Sequence, residues 1–236
     1  MTTEKPAPVE IGLLVFPAVQ QLDLTGPYEA FASWPKARVS LVGKTLEPVV
    51  SATRLLLTPT ATFATSPQLD VVCVPGGTGI NALLTDRETL AFLRRQAEGT
   101  RFVTSVCTGA LVLGAAGLLE GKRATTHWAS LPLLAAYGAT PVRERVVRDG
   151  ALMTGGGVTA GIDFALALLA ELACREVAEA VQLNLEYAPS PPFAAGDPET
   201  APPAVVEAVK KRLAPVLEER ARLAALYAQE REEERR

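Results

Sequence analysis

One of the three cysteines, Cys107, occupies a position at which a thiol can act as a nucleophile. It follows the apolar run RFVTSV and precedes TGALVLGAAGLL, a segment whose first residues are small. This order predicts a sharp turn from a strand into a helix, with the thiol exposed at the turn. Unpaired N–H groups at the start of that helix would stabilise a thiolate. The alternative is a buried cysteine that packs as a small hydrophobic residue.

Asp23 and His127 are the candidates for moving a proton near that sulfur. Asp23 interrupts VQQLDLTGP, where it either meets the thiol or caps a helix that starts near Thr25 or Pro27. A carboxylate and a thiolate in contact would repel, so the pair would share one proton, which Asp23 could deliver to a substrate. His127 is the only histidine. It either forms a Cys–His dyad or caps and packs beside Trp128.

Glycine-rich segments could surround this pair. The segment PGGTG has neither the GxxxxGK[ST] nor the GxGxxG pattern, so it does not predict a nucleotide site. We expect the backbone amide of Gly77, which follows Gly76, to hold developing negative charge together with the amide of Thr108. The other cysteines are predicted to be inert packing residues, because Cys73 lies in the apolar run VVCVP and Cys174 lies in a helical pattern.

Apolar strand-like runs alternate with longer helical patterns along the first half of the chain. The runs are continuous rather than alternating, which favours a parallel sheet buried on both faces by helices. Ligands bind such sheets beyond the carboxyl ends of the strands, where Asp23, PGGTG and Cys107 all fall. The predicted strands are 11–16, 38–42, 69–74 and 101–106, and the predicted helices are 24–33, 80–97, 108–119 and 127–137.

The second half predicts a hairpin and a C-terminal helix. Weaker strands at 141–147 and 152–154 flank a turn at Arg148-Asp149-Gly150, and glycines 155–157 open another apolar helix. The last helix has apolar residues three to four apart, with an expected kink at Pro215, and should dock on the main body or on a second subunit. The predicted organisation is a flexible N-terminus at 1–9, one α/β domain at 10–193, a Pro-rich connector at 194–203 and an amphipathic helix at 204–236.

Composition excludes several classes of function. The 23 Lys and Arg against 26 Asp and Glu leave no basic excess for a nucleic acid partner. The longest apolar stretches are interrupted by charges or are too short to span a bilayer, so we expect no membrane partner and no export. Three cysteines without a CxxC pair favour the reducing cytoplasm, and one histidine makes a zinc site hard to assemble.

Several segments taken together resemble the ThiJ/PfpI branch of the class I glutamine amidotransferase-like superfamily. The resemblance covers about residues 10–205 and implies a flavodoxin-like three-layer sandwich with a mostly parallel central sheet, helices on both faces and a nucleophile elbow. Within the superfamily, the chain is most similar to the isocyanide hydratases. This similarity rests on the Asp of QQLDLTGP, the segment VCTGALVLGAAGLL and the EYAP segment. The segments are LVFPAVQQLDLTGP, VPGGTG, TSVCTGALVLGAAGLLEG, ATTHWA, VRDG, TGGGVTAGIDFAL and LEYAPSPPF.

The resemblance also implies roles. It makes Cys107 the nucleophile and Asp23 the general acid and base, with Thr108 contacting the site, whereas His127 is not expected to be essential. It implies a cofactor-free homodimer that adds water to an isocyanide and yields an N-substituted formamide through a cysteine thioimidate. The alternatives are a glyoxalase or deglycase acting on small α-oxoaldehydes and a non-catalytic small-molecule sensor.

Overall fold

A central sheet with helices on both faces dominates the structure, a computed structural model that describes residues 7–234. The strands are β1 (Val9–Leu14), β2 (Ala37–Gly43), β3 (Val49–Val50), β4 (Leu56–Leu57), β5 (Ala61–Thr62), β6 (Val71–Val74), β7 (Phe102–Val106), β8 (Arg123–Ala124), β9 (Thr140–Pro141), β10 (Val146–Asp149) and β11 (Leu152–Gly155). The α-helices are α1 (Gln21–Ala32), α2 (Ile80–Leu83), α3 (Arg87–Gly99), α4 (Gly109–Ala115), α5 (Ala160–Leu172), α6 (Arg175–Asn184) and α7 (Pro203–Glu234). A 3-10 helix spans Trp128–Tyr137.

The order of the main sheet brings the candidate site residues to one edge. The strand order is β10-β11-β7-β6-β1-β2-β5, and only β10 runs antiparallel to its neighbour within the described part of this sheet. The carboxyl ends of β6, β7 and β11 are in register, with Val74 beside Ser105 and Val106 beside Gly155. The turns after these strands therefore lie side by side, as predicted for a parallel sheet.

Burial explains why the central strands form. All four residues of β6 and the last four of β1 are buried, because helices cover both faces of the sheet. On one face α1 packs against α5, where the rings of Phe31 and Phe164 meet edge to face at 6.2 Å. On the other face α3 and α4 pack against each other and on β6. The four strands predicted in the first half of the chain and the three-layer α/β fold are confirmed, with the ends of those four strands shifted by up to two residues.

All four helices predicted in the first half of the chain differ from the structure. The helix predicted over 24–33 begins earlier, at Gln21. The single helix predicted over 80–97 is wrong: α2 ends at Leu83 and α3 begins at Arg87. Asp86 between them has an extended backbone, accepts a hydrogen bond from the Thr89 hydroxyl and pairs with Lys44. These contacts hold Asp86 outside a continuous helix. The helix predicted over 108–119 is shorter, since α4 ends at Ala115.

The helix predicted over 127–137 is a 3-10 helix rather than an α-helix. It contains Pro132, whose ring nitrogen cannot donate the hydrogen bond that an α-helix requires there. Farther along, a hairpin is confirmed, with Asp149 paired to Leu152. Its predicted bounds are wrong, because the first strand begins at Val146 rather than 141 and includes Arg148 and Asp149, which leaves Gly150, at φ +64°, in the turn. The glycine triplet ends before α5, which starts at Ala160.

The C-terminal helix α7 lies against the 3-10 helix, where the rings of Tyr137 and Tyr227 are 4.8 Å apart. It continues through Pro215 as one helix. Residues 185–202 before it contain neither helix nor strand in the described structure. At the other end, β1 begins at Val9, and most of the predicted flexible N-terminus, residues 1–6, lies outside the described residues. No helix within residues 7–234 has the length and apolar character needed to cross a membrane.

Candidate active site

Cys107 occupies a strained turn between β7 and α4. Its backbone has φ +54°, a left-handed conformation that is unfavourable for any residue with a Cβ. The surrounding backbone holds it there: the Cys107 N–H donates to the carbonyls of Gly155 and Gly156 at 3.0 and 2.8 Å, and its carbonyl accepts from the Thr126 hydroxyl at 2.7 Å. These bonds fix the direction of the thiol, as a nucleophile elbow requires.

Asp23 lies in the first turn of α1 and is fully buried. One carboxyl oxygen, Oδ2, accepts a hydrogen bond from the Gly76 N–H at 2.9 Å. The residue at the N-cap is Gln20, and no side chain caps this helix end. The capping alternative for Asp23 is therefore wrong. Its carboxyl group instead faces the elbow, close enough to the Cys107 thiol for each group to influence the pKa of the other. Within the described residues its second oxygen, Oδ1, has no hydrogen-bond partner.

The protonation of this pair is set by its burial. Burial raises the pKa of Asp23 from its usual 3.8 to about 7, and the nearby Cys107 thiol and the hydrogen bond from the Gly76 N–H only partly oppose that rise. Burial also raises the pKa of the Cys107 thiol well above its usual range, and the Asp23 carboxylate raises it further. Two negative charges are strongly disfavoured in such a site, so the pair keeps at least one proton near neutral pH.

Gly76 allows the carboxyl group and the elbow to approach each other. A Cβ at Gly76 would lie 2.6 Å from both the backbone nitrogen and the hydroxyl of Thr108, and 2.8 Å from Asp23 Oδ2. The next residue differs from expectation: the Gly77 N–H donates to the Thr108 hydroxyl at 3.1 Å and so already has an acceptor. The Thr108 N–H lies close enough to the Cys107 thiol to lower its pKa and so favour the thiolate.

His127 caps the 3-10 helix and is a neutral base. Its Nδ1 accepts a hydrogen bond from the Ala129 N–H at 3.3 Å. Burial, and to a smaller extent the positive charge of Arg220, lower the pKa of His127 to about 4. The imidazole borders the same cavity as Cys107. Of the two alternatives for His127, the structure shows the capping contact, with the ring beside Trp128 at 5.6 Å between centroids. Among the described residues no hydrogen bond joins His127 to Cys107.

A cavity of about 330 Å³ opens beside the cysteine. One wall is formed by α7 and is largely apolar. The other walls come from the turns that follow β6, β7 and β11 and from the start of the 3-10 helix. The lining residues are Gln20, Gly77, Thr78, Cys107, Thr108, His127, Ala129, Val158, Val209, Arg212, Leu213, Val216, Leu217 and Arg220. A larger cavity of about 620 Å³, around Phe16 and Phe63, lies elsewhere and contains no cysteine.

Sequence reasoning missed Arg220. It belongs to α7, is 4% exposed, and lies in a charged stretch, LEERAR, that is typical of a solvated helix face. Nothing in the local sequence separates it from its exposed neighbours. Only the docking of α7 against the 3-10 helix and α2 brings its guanidinium to the cavity of Cys107.

The remaining cysteines behave differently from each other. Cys73 is completely buried in β6, so its predicted packing role is confirmed. Cys174 is exposed at the junction of α5 and α6, so its predicted packing role is wrong. Among residues 7–234, no three His, Cys, Asp or Glu side chains cluster in a way that could hold a metal ion.

Comparison with known proteins agrees with this geometry. The DJ-1/PfpI family model matches residues 9–171. A curated Pseudomonas putida protein, isonitrile hydratase, is 62% identical over 209 residues, which cover 89% of this chain and 92% of that protein. The crystal structure of a ThiJ/PfpI family protein from Pseudomonas syringae has a TM-score of 0.89 at 45% identity, covering 94% of this chain and 91% of that one.

A more distant solved structure shares the same fold. Drosophila melanogaster DJ-1beta has a TM-score of 0.71 at 25% identity, covering 77% of this chain and all of that one. The family model spans well over half of this sequence, and its match runs from β1 through the nucleophile elbow into α5. The chain belongs to the DJ-1/PfpI family.

Proposed function

We propose that this chain is an isocyanide hydratase, a cofactor-independent lyase that converts R–N≡C and water into R–NH–CHO. The observation that carries the proposal is the buried pair of Asp23 and Cys107 at the elbow, beside a cavity whose α7 wall is largely apolar. An isocyanide is neutral and mostly apolar, so it suits such a wall. The 62% identity to the Pseudomonas putida isonitrile hydratase supports the same activity.

The reaction begins with both residues acting on one carbon. The Cys107 thiolate forms a C–S bond to the terminal isocyanide carbon while the protonated Asp23 gives that carbon its proton. The product is a thioimidate, R–N=CH–S–Cys107, and Asp23 is left as a carboxylate. A carboxyl group with a pKa of about 7 is suited to both halves of this exchange near neutral pH.

Water completes the cycle. The Asp23 carboxylate removes one proton from a water molecule whose oxygen adds to the thioimidate carbon. The second water proton passes to nitrogen as the C–S bond breaks, which releases the formamide and returns the Cys107 thiolate. Asp23 is again protonated, so one carboxyl group performs both proton transfers.

The neighbouring residues support this chemistry without taking part in bond formation. In our proposal the Thr108 N–H stabilises the sulfur, and the Thr108 hydroxyl and Gly77 form the cavity floor. Gly76 holds the Asp23 carboxyl group through its N–H. His127 is a neutral wall of the substrate site, because its lowered pKa leaves it unprotonated at the working pH.

We also propose how the chain is organised and where it works. Residues 10–193 act as one catalytic α/β domain, 194–203 as a connector and 204–236 as a helix that completes the site. The functional form is a homodimer in the cytoplasm, where thiols stay reduced. Light scattering on the purified protein tests the dimer: a mass of two chains is expected, and a monomer at assay concentration would contradict it.

A substrate panel tests the proposed activity. The purified protein is given para-substituted aryl isocyanides, cyclohexyl isocyanide and, side by side, methylglyoxal. We expect each isocyanide to yield its N-substituted formamide, identified by mass and proton NMR, and methylglyoxal to be consumed far more slowly. Consumption of methylglyoxal alone would replace the proposal with the glyoxalase alternative, and turnover of neither would favour a sensor.

A further inference from the structure

Arg220 is a buried charge without a charged partner. It is 4% exposed, and its guanidinium donates to Asn81 Oδ1 at 3.0 Å, to the Ser130 hydroxyl at 3.0 Å and to the Gly77 carbonyl at 3.4 Å. All three acceptors are neutral. None of the ion pairs among the described residues includes Arg220.

A guanidinium in such a place needs a negative charge to offset its lost hydration. Burial lowers the pKa of Arg220, and the groups that oppose this effect are Cys107 and Tyr137. Tyr137 is itself buried with a raised pKa and is therefore neutral. The thiolate of Cys107 is thus the anion available to Arg220, and both residues border the same cavity.

The other titratable groups around the sulfur do not provide a positive charge. Asp23, from α1, repels the thiolate, and Cys73, from β6, is buried with a raised pKa. His127 is neutral because its pKa is lowered to about 4. Arg212, on the outer part of the α7 wall, is exposed to solvent, which screens its charge.

We propose that Arg220 is a positioning residue that supplies the positive charge for the Cys107 thiolate, so that the C-terminal helix is part of the nucleophile's electrostatic environment. This inference rests on the proposed function only in taking the thiolate as the attacking group. Its immediate consequence is measurable without any substrate. Without the positive charge of Arg220, the thiolate has only the negative charge of Asp23 near it. The pKa of the Cys107 thiol then rises, and Cys107 is a poorer nucleophile at a given pH.

The test is the rate at which iodoacetamide alkylates Cys107 between pH 6 and 10. The exposed Cys174 is first replaced by Ser, so that the reactive sulfur is in the site. In this background we expect Arg220→Met to slow alkylation at pH 8 by at least tenfold and to move the midpoint of the profile upward. Arg220→Lys keeps a positive charge and should recover much of the rate.

Two variants of Asn81 separate charge from helix anchoring. Asn81 accepts from Arg220 and donates to the Val216 carbonyl at 3.2 Å, so Asn81→Ala removes both contacts but leaves the guanidinium charge in place. Asn81→Asp keeps the acceptor and gives Arg220 a carboxylate partner, which neutralises its charge. We expect Asn81→Asp to slow alkylation as Arg220→Met does, and Asn81→Ala to have a much smaller effect.

Arg222→Met is the matched control, because this exposed arginine is two residues away on α7 and pairs with Glu219. It should leave the alkylation profile unchanged. A native profile for Arg220→Met, or equal effects of Asn81→Ala and Asn81→Asp, would overturn the proposal. If Arg220→Met does not fold, Arg220→Lys and the Asn81 pair decide. Formamide production is measured separately, so a shifted alkylation profile in a protein without hydratase activity would contradict the proposed function and leave the role of Arg220 standing.

Discussion

The carboxyl group of Asp23 and the thiol of Cys107 have unusual chemistry because both are buried. Their residue types and their positions after strands are visible in the sequence, which is why both could be predicted as candidates. The shared proton could not be assigned from the sequence, since it depends on desolvation and on the hydrogen bond from Gly76. The position of Asp23 inside the first turn of α1, after the N-cap residue Gln20, rules out a capping role.

Asp23 should make the stability of the protein depend on pH. Its pKa is about 7 in the folded chain and near 3.8 when unfolded, so the folded state keeps a proton that the unfolded state releases. The contribution is fully present below pH 3.8 and is lost as pH rises toward 7, by an amount on the order of 4 kcal/mol. Asp23→Asn removes this loss. Urea unfolding at pH 4 and pH 7 measures the free energy of unfolding of both proteins. From pH 4 to pH 7 this free energy should rise for Asp23→Asn relative to the unaltered protein. The same difference between the two proteins at both pH values would contradict the raised pKa of Asp23.

The backbone strain at Cys107 can be measured directly. Because φ is +54°, a residue without a Cβ relieves the strain, so Cys107→Gly should be more stable than Cys107→Ala by about 1 kcal/mol. Both variants lack the sulfur, which makes them a matched pair. Thermal unfolding of the two proteins checks this, and a more stable Ala variant would mean that the elbow is not strained.

The strands that hold the site can be predicted from apolar runs in the sequence, whereas two of the helices cannot be predicted correctly from helical spacing. Continuous apolar runs predicted the central strands because those strands are buried on both faces. The break at Asp86 was missed, because its cause is a contact with Lys44, 42 positions earlier in the sequence. The 3-10 helix was missed although Pro132 lies inside it, because helical spacing alone does not separate the two helix types.

The loop after β6 must approach the elbow closely, and Gly76 makes this possible. A methyl group there would lie 2.6 Å from the Thr108 backbone nitrogen, so Gly76→Ala must displace either the loop or the elbow. We expect this variant to remain folded, to lose about 1 to 3 kcal/mol of stability and to lose at least 100-fold in kcat/KM for an aryl isocyanide. Gly196→Ala is the control, since no atom lies within 4 Å of its added methyl group. Equal activity of the two variants would contradict the close approach.

The complete site exists only when distant parts of the chain meet. The site combines Asp23 of α1, Cys107 of the turn before α4 and Arg220 of α7, and about a hundred residues separate each from the next. The first two could be predicted from the sequence, whereas Arg220 could not. The apolar face of α7 indicated that the helix docks somewhere. It did not indicate that the docked helix would close a catalytic cavity and carry a buried arginine into it.

The wall formed by α7 should therefore influence which isocyanides react. Val216 borders the cavity, and Val216→Phe would narrow it. We expect kcat/KM for a para-substituted aryl isocyanide to fall at least tenfold more than kcat/KM for methyl isocyanide. Steady-state kinetics with the two substrates measures the ratio. An unchanged ratio would mean that substrates do not occupy this cavity.

The most direct test of the account is the rate of formamide formation by Cys107→Ala with an aryl isocyanide, compared with the unaltered protein and with Cys174→Ser. Circular dichroism establishes that all three are folded. The account predicts that Cys107→Ala forms formamide no faster than a protein-free blank, while Cys174→Ser works at the unaltered rate because its sulfur is exposed and outside the cavity. Formamide production by Cys107→Ala at the unaltered rate would contradict it.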